Sequence, residues 1–182
     1  YVGNPKGRRG EARFPDALLL KDGDPDDRFA LPNAPGRIAL EDLNARTVLQ
    51  RTGNGTRGAH AVAGVPLVLC AGLVTASATA AAVAAAGAEH VVLVVTEGEE
   101  DVALADLVLA VLEHGAAVDP EPFRVRAAGS KAAQECRDRG PDPAWPGFHE
   151  DDLRRCLEVD RFDRAVVARE VGDGLLEARW HG

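Results

Sequence analysis

A chain of 182 residues, 46% hydrophobic but only 4% aromatic, is one ordinary domain or two small ones, with a core built from Ala, Val and Leu. The formal net charge of −8 argues against a general nucleic-acid or acidic-membrane binder, which needs a broad basic face. Three scattered cysteines, Cys70, Cys136 and Cys156, give no CxxC pair and no metal-ligand spacing, so they read as reduced thiols of a cytoplasmic protein.

In chain order, the opening with Gly3, Asn4, Pro5 and Gly7 reads as a loop, and the start at Tyr1 as the cut end of something longer. Ala17–Leu20 is a short candidate strand, followed by an Asp-rich charged loop over 21–28. Pro32 and Pro35 predict an extended 29–36 segment, because proline opposes helix. Arg46–Gln50 predicts a strand that leads into a glycine turn, with helix-forming composition from Ala59 toward Val62. The uncharged 61–88 stretch is mostly alanine and is interrupted by Gly64, Pro66 and Gly72, unlike a spanning helix. It divides into a buried strand, Leu67–Cys70, with Cys70 in the core, and an alanine helix over 76–86 closed by Gly87.

His90–Thr96 is the strongest strand signal, an unbroken β-branched run that predicts burial on both faces. Val102–Glu113 predicts a helix ended by Gly115, and Phe123–Arg139 another of mixed charge. The 140–147 loop carries Trp145, with Phe148 just beyond, as plugs over a hydrophobic edge. Glu150–Glu158 reads as helix, 163–168 as strand, and Gly172-Asp173-Gly174 as a turn into a last strand at 175–178. Strand and helix signals that alternate in this way predict a single open α/β domain over 1–182.

The glycine turn Arg51-Thr52-Gly53-Asn54-Gly55-Thr56-Arg57-Gly58 is the first candidate site. A strand, a tight glycine turn and a helix start form an anion cradle, since the free N–H groups and the positive dipole end face the turn. Thr52, Asn54 and Thr56 add short donors, and Arg51 and Arg57 add positive charge. A polar turn that merely caps a helix explains the same residues. The second candidate is Glu97-Gly98-Glu99-Glu100-Asp101 with Asp106, in the turn after the strongest strand. Carboxylates beside a phosphate cradle require a cation between them, and Mg²⁺ takes hard oxygen ligands, usually one or two of them protein carboxylates. An acidic helix start favoured by the dipole is the alternative.

Asn33-Ala34-Pro35, Arg51–Thr56, Gly98–Asp106 and Asp160-Arg161-Phe162-Asp163 occur in an order and at spacings that resemble the 2-phosphosulfolactate phosphatase (ComB-like) family, from about Phe14 to Leu176. That resemblance implies a three-layer αβα fold with a largely parallel sheet. It also implies Mg²⁺-dependent hydrolysis of a phosphate monoester on a small sulfonated or carboxylated hydroxy acid, as in coenzyme M biosynthesis. Partners then reduce to a small anionic phosphorylated substrate, with no nucleic acid, no membrane and room for a homo-oligomer. Thr75 replaces an expected Asn, Ala34 a Ser, and Gly53 a Ser, Thr or Ala, and the family's first strand has no counterpart here.

Under that resemblance Asn54, Gly55 and Thr56 hold phosphate oxygens, Arg51 neutralises charge, and Thr52 adds a donor. Glu100 and Asp101, with Asp106 nearby, support Mg²⁺ directly or through water while water attacks in line. Asn33 either fixes the substrate's acid group or orders its own proline-flanked loop. A non-catalytic anion-binding or assembly domain that keeps the fold is the competing expectation.

Overall fold

The computed structural model describes residues 2, 3, 9–62 and 64–181. A seven-stranded sheet runs β3-β2-β4-β1-β7-β6-β5, built from β1 (Val2–Gly3), β2 (Leu18–Lys21), β3 (Leu31–Pro32), β4 (Val48–Arg51), β5 (Leu69–Cys70), β6 (Ala165–Glu170) and β7 (Leu175–His181). Pairing is parallel from β3 through β2 and β4 to β1. It turns antiparallel from β1 through β7 and β6 to β5. The α/β class is as expected, and the C-terminal hairpin makes the second half of the sheet antiparallel. Its turn uses left-handed backbone at Gly172 (φ 84), Asp173 (φ 57) and Gly174 (φ 70).

The helices are α1 (Arg9–Arg13), α2 (Pro35–Ile38), α3 (Asn54–Ala61), α4 (Ala76–Ala85), α5 (Gly98–His114), α6 (Glu121–Ala128), α7 (Lys131–Arg139) and α8 (Asp152–Cys156). Helix α2 lies where the prolines predicted extended chain. Pro35 stands at its first turn, where a missing N–H costs nothing. The expected 123–139 helix is two helices, divided at Gly129-Ser130, where the Ser130 hydroxyl accepts the Ala133 N–H at 3.1 Å and starts α7. Leu73, Ala76, Ala80, Ala103, Leu107, Val108 and Ala127 form the buried cluster of α4, α5 and α6. Alanine on α4 lets α5 approach closely, and Leu107 and Val108, each 1% exposed, fill the space between them. Asp160, with φ 50, caps the start of α4 by accepting the Ser77 N–H at 2.7 Å and its hydroxyl at 2.6 Å.

Three expectations need correction: the opening read as a loop contributes Val2–Gly3 as strand β1, paired between β4 and β7. Cys70 is exposed on the edge strand β5, because that strand is only two residues long and pairs on one side alone. The 90–96 run forms no strand among the described residues, and Val91, Val92, Val94 and Val95 are exposed, Val92 by 80%. Leu93 alone of the run packs on the helical core. A β-branched run reports a side chain's preference for a pleated surface. It cannot report whether a neighbouring backbone is there to pair with.

The Arg139 guanidinium lies 4.4 Å from the Trp145 ring centre and 5.3 Å from that of Phe148, so these aromatics stack on a cation. No helix among the described residues is long and apolar enough to cross a membrane.

Candidate active site

Strand register builds the site. Lys21 pairs with Pro32 on one side and with Arg51 on the other. The next residues along, Asp22, Asn33 and Thr52, therefore leave the sheet side by side at the carboxyl ends of its parallel strands, where open α/β sheets place ligands. The Asp22 N–H donates to the Arg51 carbonyl at 3.2 Å, and the Asn33 N–H to the Lys21 carbonyl at 2.6 Å. The Asp22 carboxylate accepts the Asn33 amide at 3.0 Å and the Gly53 N–H at 3.1 Å. In the sequence Asp22 is one of a run of loop aspartates, with Asp24, Asp26 and Asp27. Its only local mark is its place directly after a strand.

Asp26, in the same run, orders the loop. The Lys21 ammonium first, then the Phe29 and Arg28 N–H groups, lower its carboxyl to about 2. Its contribution is complete above the ordinary value of 3.8 and is lost as pH falls through about 2. A carboxyl-carbon NMR titration is expected to give a midpoint near 2 for Asp26. A midpoint at 3.8 would refute the lock by Lys21.

Helix α3 starts at Asn54 with no side-chain cap. Arg57 is its first residue to donate backward, to the Gly53 carbonyl at 3.3 Å. The N–H groups of Asn54, Gly55 and Thr56 thus meet no acceptor among the described residues. A Cβ on Gly53 or Gly55 would touch nothing within 4 Å, so space is open above both peptides. Arg51 ends β4 with its guanidinium 5.7 Å from the Phe29 ring centre and no carboxylate partner among the described residues. Thr52 is half-buried. Thr56 is 3% exposed, and its hydroxyl is buried without a partner among the described residues, so the side chain turns inward while the N–H remains at the helix start.

The second loop does reach the first. The Asn54 amide donates to Glu97, and Arg57 donates to the Asn54 carbonyl oxygen, which joins the start of α3 to that of α5. One oxygen of Asp101, Oδ2, accepts the Thr96 N–H at 3.3 Å, the Thr96 hydroxyl at 3.1 Å and the Glu97 N–H at 3.0 Å. Asp101 therefore reaches back to close the first turn of α5, as an acidic helix start does. The carboxylate of Glu100 lies over Gly98, whose φ of 66 suits glycine and leaves no room for a Cβ. Asp106 is elsewhere: with Glu99 it binds Arg126 and clamps α6 to α5. Among the described residues no three His, Cys, Asp or Glu side chains gather as a ligand group. Glu100 and Oδ1 of Asp101 carry no hydrogen bond among the described residues, so they are the carboxylate oxygens of this loop that could still meet a cation.

Gly58 keeps the two loops in contact. A Cβ there would stand 2.6 Å from the Thr96 methyl carbon and 3.6 Å from Val94. Gly58→Ala is expected to destabilise the fold by about 1–2 kcal/mol despite alanine's better helix propensity, because Thr96 must move and take the Asp101 bonds with it. Urea unfolding reads this, and equal or higher stability would show that the contact gives way freely.

The segment 21–119 matches a family model described as 2-phosphosulpholactate phosphatase. Both loops and Asp22 fall inside it. The chain is similar to the probable 2-phosphosulfolactate phosphatase of Synechococcus sp. (strain CC9605), at 29% identity over 191 residues that cover 94% of this chain and 78% of that protein.

Proposed function

The chain belongs to the 2-phosphosulpholactate phosphatase family and is thereby a phosphoric monoester hydrolase, and from this premise we propose that the paired loops at the starts of α3 and α5 hydrolyse 2-phosphosulfolactate, or a close phosphorylated hydroxy acid, with Mg²⁺. The observation that carries this reading is the uncapped start of α3 at the carboxyl edge of the sheet, bonded through Asn54 to the acidic start of α5.

The N–H groups of Asn54, Gly55 and Thr56 receive phosphoryl oxygens, with the helix dipole behind them. Open space above Gly53 and Gly55 admits the phosphate against the backbone. Arg51, with no acidic partner among the described residues, offsets the charge of the ester or of its acid group. Thr52 and the Asn33 amide oxygen border the space that the rest of the substrate would fill.

The field of the chain's own acids argues for a cation. Asp22 and Glu97 both stand against the cradle, and a phosphate dianion placed between them is repelled unless a positive charge intervenes. Mg²⁺ held by Glu100 and Asp101 would offset that repulsion and polarise a phosphoryl oxygen. The donor groups of α3 meanwhile stay fixed as charge grows on the transferring group.

Phosphate release from 2-phosphosulfolactate, followed with Mg²⁺ and with excess EDTA, tests this. Turnover that requires Mg²⁺ is the expected result. Equal rates with EDTA would remove the metal from the proposal. Saturable phosphate binding with no release under either condition would leave only an anion-binding domain.

A further inference from the structure

On the phosphatase reading just given, we propose that Asp22 is the positioning residue of the cradle, a carboxylate that ties two strand exits together without touching the substrate. Its backbone is held by β2 and by its own N–H bond to the Arg51 carbonyl at 3.2 Å, so the side chain projects from a fixed base. The two oxygens are divided between two neighbours: Oδ1 accepts the Asn33 amide at 3.0 Å and Oδ2 accepts the Gly53 N–H at 3.1 Å. Those neighbours follow β3 and β4 respectively. Two loops that are separate in sequence are thereby held at one spacing.

The chemistry suits a carboxylate. An ionised aspartate only accepts, and both of its bonds here come from donors. Gly53 is the last residue before α3, and a glycine on each side of Asn54 gives that turn wide backbone freedom. Without a tether the first peptides of α3 would sample many directions, and a misplacement of about 1 Å is costly where donors must meet a transferring group. With Gly53 satisfied by Asp22, the next three N–H groups remain for an anion. The same bond turns the Asn33 amide nitrogen toward Asp22, which leaves its oxygen on the other side.

Two substitutions separate tether from charge. Asp22→Ala removes both bonds. Asp22→Asn keeps both once the Asn33 amide flips, since the new oxygen accepts from Gly53 and the new nitrogen donates to Asn33. Each variant, confirmed as folded by circular dichroism, is assayed for turnover of 2-phosphosulfolactate, for inhibition by inorganic phosphate and for amide exchange at Gly53 by NMR. Asp22→Ala is expected to lower kcat/KM about tenfold, weaken phosphate inhibition to a similar degree and speed Gly53 exchange about tenfold. Asp22→Asn is expected to keep Gly53 exchange within about threefold of the parent and, having lost a charge that repels phosphate, to bind phosphate no more weakly than the parent.

Wild-type phosphate affinity and Gly53 exchange in Asp22→Ala would overturn the tether. Damage by Asp22→Asn equal to that by Asp22→Ala would overturn it also, because the negative charge rather than the link would then be what matters. These failures differ from failure of the phosphatase reading, in which the unaltered protein neither releases nor binds phosphate and the role given to Asp22 falls with it.

Discussion

Asn54→Ala is expected to lower kcat/KM for 2-phosphosulfolactate about 100-fold, or about 2.7 kcal/mol of transition-state stabilisation. Two effects combine at this side chain. Its amide is the direct link from the start of α3 to Glu97 at the start of α5, and its oxygen is the acceptor that anchors Arg57. Loss of both lets the cradle drift from the acidic loop, so the metal and the phosphate no longer share a fixed spacing. The fold should survive, since Asn54 is only half-buried and its partners are exposed. Unchanged thermal unfolding with the reduced rate is the expected pair of results. Activity within about threefold of the parent would mean that the two loops do not act as one site.

The largest stability effect is expected in the helical core. Leu107 is 1% exposed within the α4–α5–α6 cluster, and its neighbours there include Ala76, Ala80 and Ala103, side chains too short to reach into a void. Leu107→Ala is expected to cost about 3–4 kcal/mol, near the upper part of the usual range, because alanine neighbours cannot collapse into the cavity. Urea denaturation at neutral pH measures it. A loss below about 1 kcal/mol would show that the cluster is loosely packed and relaxes around the gap.

The parts of this fold that were legible in the sequence are those fixed by local chemistry. The glycine turn after β4, the alanine helix and the stop at Gly115 (φ 73) each rest on residues within a few positions of one another. The two loops proposed as the site were legible for the same reason, and Asn54 of the first bonds Glu97 of the second. What escaped depends on distant partners. Asp22 reads as one more solvated loop acid until Gly53, 31 positions away, donates to it. Asp106 reads as a candidate ligand until Arg126, 20 positions on, claims it. Asp101 could be read either as a ligand or as a helix-start acid, and its three bonds to Thr96 and Glu97 favour the second without using its other oxygen. Ser130 could have been read as a new helix start from its own sequence, because a serine that follows glycine is a standard N-cap signal.

The valine run between α4 and α5 carries a practical consequence. Bare aliphatic surface on an unpaired backbone is adhesive toward any other chain in the same condition, and the attraction grows with the number of chains in a given volume. The net charge of −8 supplies the opposing force, a mutual repulsion that dissolved salt weakens. Concentrated, salty solutions are therefore where this molecule should first turn cloudy, and dilute, low-salt ones are where it should keep best.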